Sequence, residues 1–211
     1  MDGTIAQLDK ICELAKKYDA LVMSDECHST GFIGPKGKGV PEELGVMDQV
    51  DIITGTLGKA LGGASGGFTS GPKEIIELLR QKARPYLFSN ALMPAIVAGT
   101  LQALDLVKKA DKEREHLSDM SLFWKNGLVD LGFDIKEGNT PIVPIMLHES
   151  QLAQEFAKKL FQYGIYAVGF FFPVVPQGEA RIRTQISSSH TEEQLAEALK
   201  VFKKVKSELS V

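Results

Sequence analysis

VDIITGTLGKALGGASGG, residues 50–67, decides the fold. It begins with apolar, β-branched residues (Val50, Ile52, Ile53) and closes on Thr54, Gly55 and Thr56. A strand buried in a parallel sheet reads this way. In open α/β sheets, ligands bind beyond the carboxyl ends of such strands. Lys59 stands three residues past Thr56, and its small neighbours Gly58, Ala60, Gly62, Gly63 and Ala64 leave room for a planar group.

Working upstream, ALVMSDE (20–26) repeats the pattern, with an apolar run that ends in Asp25 and Glu26 and has His28 just beyond. Residues 30–45, with five glycines and two prolines, predict a loop. Residues 4–17 predict an amphipathic helix through Ile5, Leu8, Ile11, Cys12, Leu14 and Ala15. The pair Lys16–Lys17 suits its negative C-terminal end. The pattern opens on this helix without a leading strand, so we expect that part of an α/β layer precedes it.

Downstream, Gly67–Thr69 predicts one short strand, and Pro72 starts a helix to about Gln81. From Pro94 to about Leu131 the apolar spacing near 3.6 predicts one long helix or two joined ones. GFDIKEG, TPIVPIMLH, GIYAVGFFF and ARIRTQISS then read as strands, with helices at 150–163 and 191–208. Thr191 followed by Gln194 has the form of a capping box. The expected organisation is a domain over 1–104 and a smaller α+β domain over 105–211.

Composition bounds the rest. Of the residues 44% are hydrophobic and 24% charged, and 24 basic side chains face 27 acidic ones for a net charge of −3. No basic block favours nucleic acid, and no apolar run reaches membrane-spanning length. Cys12 and Cys27 lack metal-ligand spacing and read as two reduced thiols.

Taken singly, the polar residues at the strand ends have ordinary explanations. An Asp there caps a turn, a lone His packs, and a Lys after Gly is a solvated cation. Together they fit pyridoxal-phosphate (PLP) chemistry, which needs a lysine for the aldehyde and a carboxylate to keep the pyridine nitrogen protonated. A hydroxyl at Thr56 suits the cofactor phosphate. Two other motifs are weaker. Gly63-Ala64-Ser65-Gly66-Gly67 formally fits G-x-S-x-G, but glycines flank it and no helix starts directly after it. The same segment lacks the G-x-x-x-x-G-K-[ST] of a phosphate loop.

DECHSTGFIGPKGKG (25–39) followed by residues 50–67 resembles the α-oxoamine synthase family of fold-type I PLP enzymes. RPYLFSNAL (84–92) and GFFFPVVPQGEARIRTQISSSHT (169–191) bring it closest to the glycine C-acetyltransferases. The resemblance implies an α/β, aspartate aminotransferase-like fold, here a partial large domain plus a C-terminal small α+β domain. It implies that Lys59 forms the Schiff base with PLP and takes the glycine α-proton. Asp25 would pair with the pyridinium nitrogen. His28 would bond the ring's phenolic oxygen and orient the acyl group, and Thr56 would contact the phosphate. Ser89 would reach the phosphate of a neighbouring subunit in a homodimer with shared sites. Arg183 would hold the substrate carboxylate, the planar fork being its natural partner, while Arg181 would be structural or at the surface.

The implied reaction condenses glycine with acetyl-CoA to 2-amino-3-oxobutyrate and CoA, in threonine and glycine metabolism. The implied location is the cytoplasm, or mitochondria in a eukaryotic source. By the same resemblance the first half of the family pattern, with its ring-stacking residue and Gly-containing phosphate turn, is expected to be absent. Two alternatives stay open: another α-oxoamine synthase such as 8-amino-7-oxononanoate synthase, and a non-catalytic fragment that serves as an assembly partner.

Overall fold

A computed structural model describes residues 2–62 and 65–211, so the first two residues of the G-x-S-x-G match lie outside the described ones. The chain forms two compact units, one of residues 5–111 and one of residues 1–4 with 112–211.

In the first unit, α1 (Leu8–Lys17) leads to β1 (Met23–Asp25), which pairs in parallel with β2 (Ile52–Thr56). β3 (Gly67–Ser70) runs antiparallel on the other side of β2, giving the order β1-β2-β3. Leu8 and Cys12 of α1 pack with Val22 and Val46, and Val40, Leu44 and Val50 complete this core. Helix α1 starts four residues later than its periodicity predicts. Thr4 belongs to the other unit, where Gly3 O accepts the Thr140 hydroxyl. The predicted loop of 30–45 contains one helical turn, α2 (Val40–Glu43), with Pro41 in its first turn, where a missing N–H costs nothing.

Helix α3 (Lys73–Lys82) follows, and then α4 (Arg84–Phe88), which its single turn and Pro85 disguise as a plain turn in the sequence. The long apolar-periodic stretch resolves into α5 (Pro94–Val107) and α6 (Asp111–Asp130).

The second unit holds most of α6, β4 (Ile142–His148), α7 (Ser150–Gln162), β5 (Val168–Phe170), β6 (Ala180–Gln185) and α8 (Glu192–Leu209). Its sheet is antiparallel in the order β4-β6-β5. The strand predicted in GFDIKEG reduces to a bridge between Ile135 and Ile145. Pro144 has no N–H to extend that ladder and offers only its carbonyl, to the Lys136 amide. Trp124, Phe133, Phe156 and Phe202 meet edge-on or tilted at centroid distances of 5.2–6.1 Å. The capping box at α8 is formed in both directions between Thr191 and Gln194.

Candidate active site

The parallel pair β1–β2 aligns Asp25 with Thr54, and the Glu26 amide continues the ladder to Thr54 O at 2.8 Å. Both strands therefore run out on the same edge of the sheet, β2 two residues beyond β1, and the polar residues that follow them emerge on that side. Asp25 Oδ1 accepts the Cys27 amide at 2.9 Å, closing a tight turn after β1. Hydrogen bonding from Cys27 holds the Asp25 carboxyl below the usual carboxylate range, and the charges of Lys59 and His28 push it the same way. Asp25 is therefore an anion at neutral pH, with Lys59 and His28 as electrostatic neighbours. Burial, with Asp25 beside it, pushes the Cys27 thiol up, so this cysteine stays protonated.

Lys59 lies in the turn after β2, exposed, and its carbonyl accepts the Gly62 amide at 2.9 Å. Thr56 accepts the Gly58 amide at 3.2 Å and donates to Gly66 O at 3.3 Å, fixing its hydroxyl at the mouth of that turn. Gly55 has to be a glycine, because a Cβ there would stand 2.4 Å from the Phe68 ring of β3. Carboxylate, imidazole, amine and hydroxyl thus share one strand-end region. Ser89 sits at the C-terminal end of α4, exposed, with its amide donating to Pro85 O at 2.9 Å.

Arg183 belongs to the second unit, on the central strand β6. Its guanidinium stacks on Phe170 of β5, with its carbon 4.4 Å from the ring centroid. Burial lowers its pKa while Asp2 opposes the shift, and an arginine remains a cation through either. Two residues away, Arg181 is 2% exposed and pairs with both Asp2 and Glu179, which makes it structural and buried rather than a surface residue.

One residue of the region received no role from the sequence. Glu26 is 1% exposed, and its carboxylate accepts the Ser24 and Ser29 hydroxyls and the Val40 amide, the last at 2.8 Å. The signal was the pair Asp25-Glu26 at a strand end with serines on both sides. The Val40 contact, fourteen residues on, has no local signature.

Comparison with known proteins shows the family and the fold. The family model described as aminotransferase class I and II matches residues 1–202. The 2-amino-3-ketobutyrate coenzyme A ligase of Escherichia coli K12 is 50% identical over 211 residues, all of this chain and 53% of that protein. The 8-amino-7-oxononanoate synthase of Thermosipho melanesiensis is 45% identical over the whole chain and 54% of its own length. A solved structure of SPT with a PLP internal aldimine superposes with a TM-score of 0.93 at 32% identity, covering 100% of this chain and 53% of that one. The chain spans about half the length of the curated relatives it matches. The architecture is the mixed α/β fold of the fold-type I PLP enzymes, as the motifs predict. The chain belongs to the aminotransferase class I and II family.

Proposed function

We propose that this chain provides the lysine side of a PLP-dependent acyltransferase that condenses glycine with acetyl-CoA to 2-amino-3-oxobutyrate and CoA. The observation that carries the reading is the ionised Asp25 beside Lys59 and His28 at the ends of two parallel strands. Those residues fit the cofactor. A carboxylate held as an anion suits a pyridinium nitrogen, Lys59 offers an accessible amine, and the Thr56 hydroxyl suits a phosphate oxygen. When bound, PLP supplies an electron sink for negative charge at the α-carbon of the amino acid.

Lys59 takes the α-proton of glycine, which lets that carbon attack the thioester carbonyl and release CoA as the thiolate. The proton held on Lys59 then passes to the CoA thiolate, which leaves as the thiol and restores the amine. Asp25, as an anion, would keep the ring nitrogen of bound PLP protonated. His28 would donate to the phenolic oxygen of bound PLP and orient the incoming acyl group. Arg183, braced by Phe170, grips the glycine carboxylate through two parallel N–H groups. Ser89 serves the site of a second copy in a homodimer. The location is the cytoplasm, or mitochondria in a eukaryotic source.

The kinship to 8-amino-7-oxononanoate synthase at 45% identity favours a second reading with a longer thioester. Thiol release from a series of acyl-CoAs, with glycine or alanine as acceptor, separates the two. Glycine with acetyl-CoA is expected to give the highest kcat/KM, and a preference for long-chain thioesters with alanine would replace the first reading by the second.

A further inference from the structure

Glu26 is a buried carboxylate in the middle of the site's turn, and the mechanism above does not use it. Its backbone is fully engaged: the amide bonds Thr54 O of β2, and the carbonyl accepts the Ser29 and Thr30 amides and the Thr30 hydroxyl. Its side chain ties three separate points together. Ser24, within β1, donates to Oε1, while Ser29 and the Val40 amide both donate to Oε2. The neighbouring glycine is shaped around this carboxylate. Gly39 has φ +105°, and a Cβ there would lie 2.3 Å from Glu26 Oε2.

We propose that Glu26 is the positioning residue of the site: its carboxylate pins the loop of 29–40 against the end of β1, so that Asp25 and His28 on either side of it project together. This rests on the functional reading for its purpose, but its geometry does not depend on that reading. Alternate placement follows from the strand: with Glu26 turned inward, its neighbour Asp25 is turned out, and Asp25 is indeed exposed. The three donors are buried or half-buried, so removing the acceptor leaves groups that must move to find another.

Substitution separates an acceptor role from mere packing. In Glu26→Gln the oxygen still takes the Ser29 hydroxyl and the Val40 amide. Its amide nitrogen donates to Ser24, whose hydroxyl rotates to accept. Glu26→Ala provides no acceptor. The test follows the carboxyl carbon of Asp25 and the amide exchange of Cys27 by NMR in the full 211-residue chain without cofactor. In the wild type and Glu26→Gln, Asp25 is expected to titrate below the ordinary value of about 3.9, with a protected Cys27 amide. In Glu26→Ala the titration is expected to return to the ordinary range and the protection to be lost. An Asp25 titration and Cys27 protection unchanged in folded Glu26→Ala would overturn the proposal. If Glu26→Ala does not fold, Ser29→Ala decides: a smaller shift in the same direction supports the proposal, and no shift overturns it. PLP trapping on Lys59 of the wild type reads the functional proposal separately, so its failure leaves the Glu26 result standing.

Discussion

A buried arginine shows how single residues carry this structure. Arg181 is held between Asp2 and Glu179, and Lys136 bonds both of the same carboxylates. Burial, the largest influence on Asp2, raises its pKa, but the bonds from Lys136 and Arg181 outweigh it and the net shift is downward. A carboxyl with a depressed folded pKa adds stability above its unfolded pKa and loses it as pH falls through the folded value. Asp2→Asn is therefore expected to cost about 2 kcal/mol at neutral pH, and the difference from wild type is expected to shrink below about pH 4. Urea unfolding at a series of pH values measures this; a constant difference would contradict it. The placement of Asp25, His28, Thr56 and Lys59 at or just past two strand ends was legible because an apolar run that closes on polar residues marks where a buried strand stops. Glu26 was visible there too, but its role depends on contacts with Ser29 and Val40 that only the folded loop creates.

Among the elements, legibility followed the strength of the periodic signal. Helices α7 and α8 and strands β4 and β6 lie where apolar spacing and caps predict them. The start of α1, the single turn of α4 and the lone bridge at Ile135 depend on neighbours elsewhere in the chain, and a local pattern cannot show those. Two substitutions test the element-level account. Thr191→Ala removes the acceptor for the Gln194 amide and is expected to cost about 1 kcal/mol. Phe202, fully buried against Trp124, Phe133 and Phe156, anchors α8, and Phe202→Ala is expected to cost about 3–5 kcal/mol. Denaturant midpoints check both; equal effects would show that the aromatic cluster carries less than its burial implies.

For the molecule as a whole, the segment from α4 to α5 presents Phe88 at 79% exposure with Tyr86, Met93 and Leu101 also exposed. Large apolar side chains exposed along one segment suit an interface between copies, in line with the proposed homodimer. Light scattering on Phe88→Glu with Leu101→Glu is expected to give a monomer where the wild type gives a dimer; a wild-type monomer would contradict it. The fold class was legible from two motifs because their strand ends and glycines encode the sheet. The two compact units were less so, since residues 2–4 join the C-terminal one through Asp2 and Gly3.

The central claim concerns Lys59, and reduction with borohydride in the presence of PLP tests it most directly. Peptide mass mapping is expected to find the pyridoxyl adduct on Lys59, and Lys59→Ala is expected to lose both the adduct and the PLP absorbance. A Lys59→Ala protein that keeps full absorbance, or an adduct on another lysine of the wild type, would contradict the account.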